Sequence, residues 1–244
     1  MDERMRPVVV LAIAFVCGAT VPRCASADGP FLPSASGDRR FYVSGIIGDS
    51  FTTIASGGLN TAGGGPVANT GAAASDLFTA GGALGTATDR PSGELRVEVE
   101  GLGRGTLTGR TDSVFTPEQY AVRATDSWTV MANIWREYAV SERLGVYGGG
   151  GIGAGGYRIA VDDLIVTGAG TASVFAWQVG TGVTWRITPQ ATLDLGYRYL
   201  DLGVASTPLA LANGAPAGNY TSALSASEWL LSVRIYEPLA ILRR

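Results

Sequence analysis

Gly93-Glu94-Leu95-Arg96-Val97-Glu98-Val99-Glu100-Gly101-Leu102-Gly103 alternates polar and apolar side chains through its middle seven residues. In an extended chain successive side chains point to opposite sides, so Glu94, Arg96, Glu98 and Glu100 share one face and Leu95, Val97 and Val99 the other. A helix would scatter both sets around its circumference, so the stretch is a strand with one charged face and one apolar face. Two later stretches repeat the pattern. Asp194 and Arg198 lie opposite Leu193, Leu195, Tyr197 and Tyr199, and Glu228, Ser232 and Arg234 lie opposite Trp229, Leu231, Val233 and Ile235.

Outward from these three, the pattern predicts eight strands, over 41–53, 76–86, 93–103, 127–140, 144–157, 173–186, 191–202 and 226–236. Four connections are long (54–75, 104–126, 158–172, 203–225). The three between them are tight, with turn chemistry in Asp89-Arg90-Pro91-Ser92, Ser141-Glu142-Arg143 and Thr188-Pro189-Gln190. Long loops on one rim and short turns on the other suit an antiparallel up-and-down barrel crossing a bilayer, where strands of about 9 to 11 residues close on themselves and leave no edge in lipid. Both termini then lie with the short turns, on the periplasmic side. The long connections 54–75 and 203–225, rich in Gly, Ala, Thr, Asn and Ser, read as exposed, mobile loops.

The first 27 residues agree with export. Arg4 and Arg6 precede an apolar run from Val8 to Val21, and Ala25-Ser26-Ala27 suits cleavage before Asp28. Domain organisation is therefore expected as signal peptide 1–27, periplasmic lead 28–40, barrel 41–236 and periplasmic tail 237–244. Cys17 and Cys24 both fall in the segment to be removed, which leaves no thiol chemistry. The signal takes three arginines and two acids from totals of 18 and 21, leaving 15 and 19, a net charge of −4. So mild an acidic balance carries no footprint for nucleic acid.

Alternation by itself fits a soluble barrel as well, with the apolar face turned inward. Aromatic spacing separates the two. Trp177 and Trp185 share a face eight residues apart, roughly 20 Å along the membrane normal at ordinary strand rise and tilt. Trp128 and Tyr138, ten apart, give roughly 25 Å. With Tyr197, Tyr199 and Trp229 they are the expected membrane-interface aromatics.

Phe41-Tyr42-Val43-Ser44-Gly45, Leu95 to Gly101, Met131-Ala132-Asn133-Ile134-Trp135, Tyr147 to Gly153 and Leu193 to Asp201 together resemble the opacity-type outer-membrane β-barrel family of small surface proteins, over residues 41–236. The resemblance implies an eight-stranded barrel in a bacterial outer membrane, inserted by the outer-membrane machinery and in contact with its lipid. At the C-terminus the chain departs from it: Glu237 follows Tyr236 where such proteins end on an aromatic residue, and Pro238 to Arg244 continue.

The chemistry-bearing constellation is the expected lumenal charge network of Glu94, Arg96, Glu98, Glu137, Asp194, Arg198, Glu228 and Arg234. A charge in a narrow lumen needs a partner or water, and an eight-stranded barrel is only wide enough for side chains to fill. The network therefore reads as a salt-bridged plug, with a narrow water-filled pore as the alternative. Gly151-Ile152-Gly153-Ala154-Gly155-Gly156 matches a dinucleotide fingerprint but lies in a strand pattern with no helix after it, so it reads as structural glycine. Asn219-Tyr220-Thr221 is a chance sequon and Asp162-Asp163 a solvated pair. Outer-membrane barrel enzymes rely on histidine, and this chain has none. The expectation is a non-enzymatic, monomeric envelope or surface protein with no cofactor, no metal and no nucleic-acid partner. A small-solute channel and a soluble periplasmic barrel binding an apolar ligand stand as alternatives.

Overall fold

Eleven strands in a computed structural model carry the chain: β1 (Arg39–Ile54), β2 (Gly58–Asn60), β3 (Pro66–Asn69), β4 (Ala73–Arg90), β5 (Gly93–Arg104), β6 (Leu107–Asp112), β7 (Gln119–Ala139), β8 (Leu144–Asp162), β9 (Val166–Arg186), β10 (Ala191–Leu211) and β11 (Pro216–Tyr236). The structure describes residues 39–55, 58–60, 66–69, 73–112, 119–162, 166–211 and 215–238. The expected signal peptide, most of the lead and most of the tail lie outside them.

These strands make eight staves of a closed antiparallel barrel in the order β1, β4, β5, β7, β8, β9, β10, β11. Closure runs from Tyr42 opposite Tyr236 to Ile54 opposite Leu224. Glu237 ties the seam, its amide donating to the Phe41 carbonyl and its carboxylate accepting from the Phe41 amide at 2.7 Å. β5 and β6 are one stave interrupted at Gly105 and Thr106, since both pair with β7. The hairpin of β2 and β3 adds to β11 beyond the end of β1.

Local chemistry sets the short turns. At the tip of β4 and β5, Ser92 (φ 65°) turns the chain and Gly93 follows at φ 148°. A Cβ on Gly93 would lie 2.1 Å from the Glu137 carbonyl oxygen, so only glycine fits. Ser141 Oγ accepts from the amides of Arg143 and Leu144, and Thr188 Oγ from those of Gln190 and Ala191, which fixes the other two turns.

The staves are longer than the sequence pattern indicates. β7, β9, β10 and β11 each run 21 residues, about 50 Å at ordinary rise and tilt. Much of the expected loops 104–126, 158–172 and 203–225 is strand, with tips near Asp112, Asp162 and Leu211, and β2 and β3 occupy part of 54–75. The reading of these connections as loops is thus corrected.

Polarity divides each stave into two parts. Toward the short turns the outer face is apolar, with Ile47, Leu84, Val97, Ile134, Val183 and Leu195 exposed, while charges point inward. Toward the long-loop rim the faces exchange. On β11, Tyr220, Leu224 and Ala226 are buried inside and Asn219, Thr221 and Ser225 face out; from Glu228 onward the charges are inside and Trp229, Leu231 and Val233 outside. β9 changes likewise between Thr171 or Ser173 and Phe175. The lower part is built for lipid around it, the upper part for water.

β8 supplies the interior space. Its inward positions Gly149, Gly151, Gly153 and Gly155 lie under large neighbours: a Cβ on Gly151 would sit 2.0 Å from Asn133 Oδ1 and one on Gly155 2.3 Å from Leu202 Cδ2. The glycine run, read from the sequence as structural, is therefore the floor on which Asn133, Met131, Trp135 and Leu202 pack.

Candidate functional site

Inside the barrel, side chains fill three levels. The level nearest the short turns centres on Arg234, fully buried on β11. Its Nη1 donates to Glu94 (2.6 Å) and to the Tyr236 hydroxyl (2.8 Å), and its Nη2 to Asp194 (2.7 Å) and Glu137 (3.2 Å). Tyr236 in turn donates to Glu94, and Arg40 joins Asp89 and Glu94 at 3.0 Å each while stacking on the Tyr236 ring. Charge-assisted, multiply bonded pairs of this kind are the ones that offset the desolvation of buried ions.

The middle level is a second network. Arg198 Nε donates to Glu228 and Nη1 to Glu100, both at 2.6 Å; Arg104 Nε reaches the other oxygen of Glu228 at 2.6 Å, and Ser50 adds a bond at 2.8 Å. Glu98 differs. Among the described residues it is the inward carboxylate with no arginine within ion-pair distance, held by the Tyr42 hydroxyl (2.5 Å), Trp135 Nε1 (2.7 Å) and Asn133 Nδ2 (3.2 Å). Arg96 is also loose, with Asp194 and Glu137 only at 3.8 and 3.9 Å and its guanidinium over the Tyr147 ring. Between the two networks a cavity of about 50 Å³ is lined by Arg96, Glu98, Glu100, Trp135, Tyr147 and Asp194, room for a few waters.

The third level, toward the long-loop rim, is apolar. Ile54, Leu77, Leu107, Met131, Leu200 and Leu202 pack there with Tyr157, Tyr220 and Leu224. The Tyr157 and Tyr220 hydroxyls are buried with no hydrogen-bond partner among the described residues.

The eight lumenal charges named from the sequence, Glu94, Arg96, Glu98, Glu137, Asp194, Arg198, Glu228 and Arg234, all lie inside at 7% exposure or less. Glu100 and Arg104 belong with them and were missed. Glu100 continues the alternation of Glu94 to Glu98 and was legible; Arg104 stands one residue beyond the strand as read. On the outer wall Trp128, Trp177, Trp185, Tyr138 and Trp229 are exposed, with Tyr199 against Trp177 (5.6 Å between centroids) and Tyr197 against Trp229 (5.1 Å). Trp128, Trp177, Tyr199 and Trp229 stand toward the long-loop end of the apolar band, Tyr138 and Trp185 toward the short turns. Asp162 ends β8, and Asp163 is outside the described residues; Asn219 to Thr221 form strand in β11. No group of three metal-ligating side chains occurs among the described residues.

The family model described as "Outer membrane protein beta-barrel domain" matches residues 11–234. Among solved structures the chain is similar to Neisserial surface protein A (16% identity over 80% of this chain and 96% of that one, TM-score 0.37). It is similar also to the outer membrane protein OprG from Pseudomonas aeruginosa (9%, 79% and 95%, TM-score 0.45) and the outer membrane protease OmpT from Escherichia coli (9%, 82% and 97%, TM-score 0.46). No curated protein matches the chain. With an apolar outer wall, charges turned inward and a family match over nearly the whole length, the chain belongs to the outer-membrane β-barrel domain family and resides in the bacterial outer membrane.

Proposed function

We propose that this protein is a closed, non-enzymatic outer-membrane barrel whose role is envelope structure and the display of its water-facing upper part at the cell surface. The observation that carries the reading is the filled lumen: two levels of arginine–carboxylate pairs, with Glu98 held by neutral donors, lie beneath an apolar one, so a hydrated ion meets charges that are mostly paired and then an apolar segment. Catalysis finds no support in the residues, since the chain has no histidine and, among the described residues, the inward carboxylates are paired with arginines or, for Glu98, held by neutral donors.

Planar-bilayer recording of the purified full chain tests this. The expected result is the absence of steady single-channel steps. Steady currents would establish the narrow-channel alternative, which the cavity beside Glu98 favours, and would place that cavity on the conducting path.

A further inference from the structure

At the long-loop end of the apolar band the outer wall is acidic on several staves, with Asp49 on β1 opposite Trp229, Asp201 on β10 opposite Trp177 and Asp76 on β4 opposite Phe51, all turned outward. The face of β7 and β8 is different. Arg123 and Arg158 are both exposed there, on adjacent strands: Arg158 is opposite Thr125, and Arg123 stands two residues further along β7. Residues so placed on one face of an antiparallel pair lie within reach of each other. Among the residues whose side chains the structure describes, neither arginine has an ion-pair partner; the side chain of Asp162, two residues beyond the Ala160 that faces Arg123, lies outside that set. The nearby carboxylate, exposed Asp126 in the bulge of β7, accepts from the Thr125 hydroxyl at 3.4 Å and forms no ion pair with either.

What lies beneath the two arginines fixes their height. The Trp128 ring covers Gly156 so closely that a Cβ there would lie 2.5 Å from the indole. Arg158 is two residues beyond Gly156, about 5 Å further along the membrane normal. Below Trp128 the wall is Val130, Ala132, Ile152 and Ala154, a shallow apolar surface suited to acyl chains. Two exposed guanidiniums one step above an interfacial tryptophan stand at the height of the outer-leaflet phosphates, and guanidinium is matched to phosphate in both charge and geometry.

We propose that Arg123 and Arg158, above Trp128, form a binding site on the outer wall for the phosphate group of an outer-leaflet lipid. Native mass spectrometry of the full chain in detergent, titrated with bis-phosphorylated lipid A, tests it. The wild type is expected to hold the lipid, and Arg123→Ser with Arg158→Ser to weaken it by roughly tenfold or more. Dephosphorylated lipid A should bind the wild type as weakly as the phosphorylated form binds the variant, and excess inorganic phosphate should not compete. Both side chains are exposed, so heat-modifiable mobility should be unchanged; were the variant to misfold, the comparison of phosphorylated with dephosphorylated lipid on the wild type decides alone. Equal binding by variant and wild type, indifference to the lipid phosphate, or displacement by inorganic phosphate would each overturn the proposal.

Discussion

Arg234 and Arg96 are both buried arginines, yet their surroundings predict different consequences of removal. Arg234 donates to three carboxylates and a tyrosine, so Arg234→Ala takes the hydrogen-bonded counter-charge from Glu137 and Asp194, leaving them Arg96 at 3.9 and 3.8 Å, and leaves Glu94 with Arg40 as its one ion-pair partner among the described residues. The expected loss is about 3–5 kcal/mol, seen as a lower unfolding temperature in detergent. Arg96 has no side-chain hydrogen bond among the described residues and borders the cavity, so Arg96→Ala should cost clearly less in the same measurement. Tyr157→Phe removes a buried hydroxyl that has no partner among the described residues and should change stability by less than about 1 kcal/mol, in either direction. The charged set itself was readable from alternation. Its partners were not: Tyr42, Asn133 and Trp135, which hold Glu98, come from other strands, and which of their residues meet it depends on inter-strand stagger that no local pattern encodes.

On the scale of the strand, the exchange of faces explains what could and could not be read. Within the apolar band each strand keeps one phase, and the three alternating stretches were legible at once. Above it the phase reverses: on β11 the inward positions pass from Tyr220 and Leu224 to Glu228 and Arg234. Alternation persists through the change, but a reader following a continuous apolar face sees the strand end, and Pro216 to Ser225 passes for loop. Bulges at the same height, between Thr125 and Trp128 on β7 and between Asp201 and Val204 on β10, break the count further. The exchange predicts a position-dependent response to charge. Leu195→Arg, on the apolar band, should destabilise by about 2–4 kcal/mol near the midplane, whereas Asn219→Arg, outward on the upper part of β11, should cost under about 0.5 kcal/mol. Denaturant titration in lipid vesicles measures both, and equal penalties would refute the division.

For the molecule as a whole, the alternation of long and short connections sets the topology. An epitope inserted after Ala215, at the long-loop rim, should be reached by antibody on intact cells, and one inserted after Ser141 only after the outer membrane is opened. The polar outer face of the upper barrel also bears on how the protein arrives and stays. Every stave must pass its upper segment through hydrocarbon to reach the surface, and the hairpin of β7 and β8 must carry Arg123 and Arg158 across on the lipid side, where an arginine at the midplane is opposed by about 2–4 kcal/mol. That opposition acts on the crossing and is gone once the arginines emerge, so it raises the barrier for entry and exit alike while leaving the end state untouched. In phosphatidylcholine vesicles, replacing both arginines by serine should speed insertion and extraction together with little movement of the equilibrium midpoint. The barrel's residence in its membrane is then set by the height of a pass crossed once in each direction, and its lifetime there can far exceed what its depth of stability alone would give.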